Sequence, residues 1–350
     1  MIDVIKNKKE WVELLEVFGN IDFYHTYDYH QLSKNEGEFP VLIKYTEGET
    51  VLGLPLLIRT IENSEFKDAV SVYGYSGILS SGTDEKFNKD NFYKELNAYF
   101  KENNIISVFS RFHPILEYQD DILNGLGQIT TLGKVVCIDL TDTIENQRAK
   151  FNRRLKTYLN KSRKLCTVIN GSVEEYKDIF VNLYEENMRR VDADDSYFFS
   201  DKYYQEILSS DDFESVLKLC IHNETQSIIG AAIFIKTGDI VQYHLSGLSE
   251  DTYEVDPIKL IIDEARIEAT DEGYKIFNLG GGRGSNEDSL FRFKSGFSKD
   301  FKDFKVWKYI VDEEAYKSLL KNRLATTEDI ELSYSGFFPA YRAKLEVTTS

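Results

Sequence analysis

Lys294 stands among Phe291, Phe293 and Phe297 in the segment Leu290–Phe297 (LFRFKSGF). A lysine among aromatics can snorkel at a surface, or it can be shielded from water and stabilise developing negative charge. Just upstream, Asn278–Gly284 reads NLGGGRG. Three consecutive glycines either form a tight turn or let the backbone approach a ligand with its N–H groups exposed. Ser285 and Asp288 have the spacing of a capping box, which predicts a short helix carrying Lys294. The third segment with chemical potential is Arg148–Lys164 (RAKFNRRLKTYLNKSRK), with eight basic residues and no acidic one. At helical period Phe151, Leu155, Tyr158 and Leu159 share a face, and Lys150, Arg153, Arg154, Lys161 and Lys164 lie opposite. Such a face is either solvated or a phosphate site.

Other chemistries find little support. Net charge is −17, which excludes general nucleic-acid binding and leaves only a local basic patch for any polyanion. The five histidines lack zinc-ligand spacing, and no metal site is expected. No P-loop and no G-x-S-x-G elbow occurs. Cys137, Cys166 and Cys220 are scattered and odd in number, so reduced thiols and a cytoplasmic location are expected. No apolar run spans a bilayer, so no integral membrane contact is expected.

These residues must be positioned by a duplicated framework. Ile43–Leu57 and Cys220–Phe234 each read as strand, turn, strand, with Gly53 and Gly230 in register. Tyr73–Gly77 (YGYSG) and Tyr243–Gly247 (YHLSG) share Tyr, Ser and Gly at the same offsets. Helices follow at Phe87–Lys101 and from Pro257, the second capped by Asp256 and ended by Gly273. Strands follow at Ile105–Phe109 and Lys275–Leu279, then at Lys134–Leu140 and Lys305–Val311. Upstream, each copy opens with two amphipathic helices, Lys9–Phe18 and Tyr27–Ser33, then Val173–Arg190 and Asp201–Ser209. The order strand, two helices, three strands, helix, strand, strand is thus read twice. At 350 residues the chain accommodates two such domains.

The duplicated unit, YHLSG before a capped helix, NLGGG and FRFKSGF, resembles the FemABX family and its GNAT-like relatives. Phe337–Arg342 (FFPAYR) resembles the closing motif of surface-polysaccharide acyltransferase relatives. The resemblance implies an α/β (α+β) fold of two tandem GNAT-like domains, each a mixed sheet flanked by helices. The boundaries expected are 1–142 (acceptor side), 143–312 (basic helix and active site) and 313–350 (helical extension). It implies acyl or aminoacyl transfer to an amine of a cell-envelope precursor, a peptidoglycan stem peptide or a nucleotide-linked amino sugar. Lys294 would be catalytic, and Arg153 and Arg154 would meet phosphates of the acceptor nucleotide or of tRNA. Tyr75, Tyr243, His244, Gly281, Gly282, Arg283 and Phe293 are the further candidate substrate contacts. No permanent cofactor is implied, and the donor is aminoacyl-tRNA or acyl-CoA. The acyl-CoA pyrophosphate loop is missing after Gly247, where the chain reads LSEDTYEVDP. Two rival readings stand: an acyl-CoA-dependent N-acyltransferase of an amino sugar in surface-polysaccharide synthesis, and a non-catalytic RNA- or nucleotide-binding module.

Overall fold

The computed structural model describes residues 1–84, 87–250, 255–324 and 336–343. The first repeat runs β1 (Ile2–Ile5), α1 (Lys8–Leu15), α2 (Tyr27–Ser33), β2 (Glu38–Glu47), β3 (Thr50–Thr60), β4 (Lys67–Val70), β5 (Leu79–Ser81), α3 (Lys89–Glu102), β6 (Ile105–Arg111), α4 (Gln119–Leu123) and β7 (Gln128–Asp139). The second runs α5 (Ile144–Ala149), α6 (Arg153–Leu165), β8 (Cys166–Gly171), α7 (Val173–Arg190), α8 (Asp201–Leu208), β9 (Glu214–His222), β10 (Ile228–Thr237), β11 (Ile240–Leu248), α9 (Pro257–Asp271), β12 (Ile276–Gly280), α10 (Ser289–Lys294) and β13 (Asp300–Ile310). Helix α11 (Glu313–Leu324) follows. The order read twice from the sequence is the order found, and the α+β class holds.

Two compact units result, and neither is a continuous stretch of chain. One comprises 1–19, 24–132 and 304–350, and the other comprises 20–23 and 133–303. In the first, β1-β2-β3-β4 is antiparallel, β4 runs parallel to β6, and Val306–Ile310 of β13 closes antiparallel on β6. In the second, β8-β9-β10-β11 is antiparallel, β11 runs parallel to β12, and β7 closes antiparallel on β12 through Val136–Asp139. The two sheets are therefore built alike. Each takes its last strand from the other repeat.

Local chemistry accounts for the elements around the candidate residues. Asp256 caps α9 by accepting from the Lys259 N–H at 3.2 Å, with Pro257 opening the first turn. Leu260, Ile261, Ile262, Ala265 and Ala269 of α9 are buried against Phe234, Val241 and Phe277 of the sheet. In the first unit, Phe92, Leu96 and Phe100 of α3 fill the equivalent core with Leu54, Val108 and Trp307. Phe338 and Tyr341 of the closing motif pack with Tyr316 of α11 in the first unit, where the Tyr341 hydroxyl reaches Ser107 at 2.8 Å and Asp68 at 3.1 Å.

The matched motifs Tyr73–Gly77 and Tyr243–Gly247 do not occupy equivalent places, contrary to the sequence reading. Thr60 pairs with Lys67 as Thr237 pairs with Ile240, so Lys67 takes the place of Ile240 and Tyr73 falls about where Ser246 lies. YHLSG lies inside β11, whereas YGYSG follows the end of β4. The glycines also serve different ends. Gly77 adopts φ 65°, whereas Gly247 lets α7 lie on the strand, since a Cβ there would come within 2.3 Å of the Tyr184 nitrogen. Because that obstacle is backbone, Gly247→Ala should destabilise the second unit by about 1–3 kcal/mol, measured by denaturant unfolding. A change near zero would mean that α7 can shift freely.

Candidate active site

In the second unit β11 and β12 run parallel as far as the Gln242–Asn278 pair, and Tyr243, His244 and the glycine turn follow where that pairing stops. Asn278, fully buried, accepts from the Gly280 N–H at 2.8 Å and so fixes the start of the glycine turn. Gly280 has φ 76°. A Cβ on Gly282 would lie 2.0 Å from the Asn286 carbonyl oxygen, so only glycine closes this turn. The helix start predicted at Ser285 lies further on. Ser285 has φ 66° and Asp288 itself caps α10, because one carboxylate serves two ends: Oδ1 accepts from the Phe291 N–H at 2.9 Å and Oδ2 from the Arg283 N–H at 3.3 Å.

Helix α10 brings Lys294 to the glycine turn. Its side chain is buried, Nζ donates to the Gly281 carbonyl at 2.7 Å, and the ammonium lies 5.8 Å from the Tyr243 ring centre. Burial lowers the Lys294 pKa to about 8, against the opposing pull of Asp288. The group therefore remains mainly an ammonium at neutral pH. Of the two positions open to it, the structure gives the shielded one. Tyr243 shares a hydrogen bond with Ser246, and burial pushes its hydroxyl up to about 12, so it is a neutral phenol. His244 Nε2 lies 2.8 Å from the Tyr203 hydroxyl, and burial lowers its pKa to about 3. That ring is neutral, packs edge-on to Phe23 at 5.4 Å, and supplies no charge. Phe293 meets Phe297 edge-on at 6.0 Å, and Arg283 is exposed beside Asp288. Tyr75 belongs to the first unit, packed against Tyr24 and Phe304.

The basic segment is not one helix. Helix α5 ends at Ala149 and α6 begins at Arg153, because Asn152 breaks the run and caps α6 through the Leu155 N–H at 2.7 Å. The Asn152 N–H also donates to the Gly296 carbonyl at 3.0 Å, which ties the start of α6 to the end of α10. Several of the basic residues have structural partners. Arg148 and Arg163 reach the buried Asp263 at 3.2 and 2.6 Å, Lys150 reaches Asp142 at 2.9 Å, and Lys156 donates to the Ala149 carbonyl at 2.9 Å. Arg153 and Arg154 are exposed in the first turn and line a shallow pocket with Thr157 and Tyr158. Arg154 donates to the Tyr158 hydroxyl at 3.0 Å.

Two participants had no visible signal in the sequence. Lys259 of α9 sits 4.8 Å from the Tyr158 ring centre and 5.4 Å from that of Phe293, with Asp256 as its ion-pair partner. Tyr158, read only as part of an apolar face, is half-buried between Arg154 and Lys259. A chain of cations and rings thus runs from Arg154 through Tyr158 and Lys259 to Phe293. Among the described residues no group of three or more His, Cys, Asp or Glu could hold a metal ion. The three cysteines are free and buried, and no helix among the described residues is long and apolar enough to cross a membrane. Residues 251–254 of the segment after Gly247, where the acyl-CoA loop is missing, lie outside the described residues.

No protein-family model matches the sequence, and no curated protein does. Solved structures do match. FemX superposes with a TM-score of 0.69 at 14% identity, over 90% of this chain and 99% of that one. L-PGS from Bacillus licheniformis gives 0.58 at 12% identity, over 88% and 93%. The C-terminal domain of a candidate lysylphosphatidylglycerol synthetase from Agrobacterium fabrum gives 0.55 at 14% identity, over 93% and 99%. The chain therefore has the fold of FemX over nearly its whole length. At these identities the likeness establishes the fold.

Proposed function

We propose that this chain is an acyltransferase of the FemABX kind, joining an aminoacyl group to an amine on a cell-envelope precursor. The observation that carries the reading is Lys294, a buried ammonium held on the Gly281 carbonyl just past the parallel β11–β12 pairing. In the proposed step the amine nitrogen attacks the carbonyl carbon of an activated ester. The carbonyl oxygen takes the electron pair, and collapse expels the alcohol, which leaves with the proton lost by the amine. Lys294 stabilises the oxyanion, and holding ester and amine together supplies much of the rate. The phenylalanines around it limit water and so strengthen its field. Arg153 and Arg154, with Lys259 behind them, receive the phosphates of a tRNA donor or of a nucleotide-linked acceptor.

The donor is tested by mass spectrometry of ligands retained by the purified protein, followed by single-turnover assays with aminoacyl-tRNA and with acyl-CoA. Transfer from acyl-CoA alone would favour the amino-sugar N-acyltransferase. Retained nucleic acid with no turnover of either donor would favour a binding module. For the arginines, Arg153→Ala with Arg154→Ala should weaken tRNA or nucleotide binding and reduce the slope of log K against log salt by about 1–2, as fewer counterions are released. An unchanged slope would assign both arginines to a solvated face.

A further inference from the structure

The first unit has its own parallel strand pair, β4 and β6, and at its carboxyl end stands Arg111. The backbone N–H of Arg111 donates to the Ser71 hydroxyl at 3.1 Å, just past the last residue of β4. The side chain is half-buried, with its guanidinium carbon 4.9 Å from the Phe109 ring centre and 5.8 Å from that of Tyr73. Among the described residues that guanidinium makes no hydrogen bond and no ion pair. The groups acting on it are the phenols of Tyr73, Tyr29 and Tyr75 and the like charge of Arg59. Arg59 is itself one of two guanidiniums sharing the buried carboxylate of Asp68. The surrounding cage is built. Tyr29 donates to the Tyr73 carbonyl at 3.0 Å, Tyr24 lies edge-on to both Tyr29 and Tyr75, and Gly74 at φ 115° leaves room for the Tyr24 ring, which a Cβ would strike at 2.0 Å.

A guanidinium half withdrawn from water and without a protein partner keeps its fork of donors free for a ligand. We infer that Arg111, with its tyrosine cage, is a ligand socket of the first unit for an oxyanion, a carboxylate or a phosphoryl group. The fork of donors matches either oxyanion, and the Tyr73 ring, 67% exposed, offers a face to whatever carries it. The inference concerns binding by the first unit and stands whether or not the second unit transfers acyl groups.

Arginine side-chain 15Nε–1H spectra of the full chain test it, with the Arg111 signal assigned by its loss in Arg111→Met. Titration with inorganic phosphate in one arm and N-acetylglycinate in the other should shift that signal saturably in at least one arm, which names the anion. The shift should survive Arg154→Ala, which removes a cation of the other unit. Arg111→Lys keeps the charge but loses the fork, and should bind at least about tenfold more weakly. In buffer free of such anions Arg111→Met should melt no lower than wild type, because it removes a half-buried charge that no protein group compensates. No saturable shift in either arm would overturn the inference. So would a lower melting temperature for Arg111→Met together with undiminished anion binding by Arg111→Lys, followed in both proteins through the backbone 15N–1H signals of Ser71 and Tyr73, since the arginine would then be structural.

Discussion

Lys294→Ala should leave the fold and both substrate affinities intact and cut single-turnover transfer by about a hundredfold or more, the usual cost of losing one oxyanion donor. Position is the reason. The strand end, the glycine turn and the Asp288-capped helix fix the side chain, and the Gly281 carbonyl holds Nζ at 2.7 Å. Lys294→Arg should restore activity only in part, because the guanidinium places its charge differently. Burial also gives the reaction a pH signature. With a pKa lowered to about 8, the ammonium is lost above that pH, so the Lys294-dependent part of the rate should fall there. Stability runs the other way. The unfolded lysine, at its ordinary value of 10.5, holds its proton to higher pH than the folded one, so unfolding free energy gains as pH rises from about 8 to about 10.5. Compared with Lys294→Met, wild type should therefore be penalised most below pH 8, and the difference should shrink above it. Wild-type turnover in Lys294→Ala would sink the proposed role.

Asp263→Ala should destabilise the second unit by about 3–5 kcal/mol, the range for removing one member of a buried ionic network. Asp263 and Arg266 are both fully buried and 2.8 Å apart, and Arg148 and Arg163 close on the same carboxylate at 3.2 and 2.6 Å. Without Asp263, Arg266 retains the Gln147 side chain at 2.6 Å and the Phe151 ring at 5.3 Å but no buried countercharge. Replacing Asp263 and Arg266 together by leucine should recover much of the loss, because the penalty lies in the stranded charge. Urea denaturation of the two variants measures it. A loss under about 0.5 kcal/mol for Asp263→Ala would place the network with ordinary surface ion pairs. The functional consequence follows from what Asp263 holds. Arg148 and Arg163 anchor the segment whose exposed arginines, Arg153 and Arg154, face outward.

Much of this arrangement was legible in the residues. Asp256, Pro257 and Gly273 announced where α9 begins and ends. The triple glycine and the lysine among phenylalanines were visible as one neighbourhood, because turn, cap and lysine lie within about fifteen residues of one another. Elsewhere the signal was ambiguous. Arg148–Lys164 read as one amphipathic helix, since nothing in the spacing marked Asn152 as a second cap. Asp288 was read as part of a capping box when it caps alone.

The sequence by itself determined the elements, their repeated order and the neighbourhood of Lys294, all of which depend on residues close in the chain. Only the tertiary structure decided which sheet each closing strand joins, because β7 and β13 read alike and strand pairing depends on distant partners. It also decided which cations are spoken for. Arg163 and Arg153 differ little as letters, yet one meets Asp263 a hundred positions away and the other faces solvent. Arg111 shows the same division. Its strand was read as far as Phe109, but its lack of a carboxylate is fixed by tyrosines brought in from α2 and from the turn after β4. Charge is written in the sequence, whereas the company a charge keeps comes from packing between residues remote in the chain.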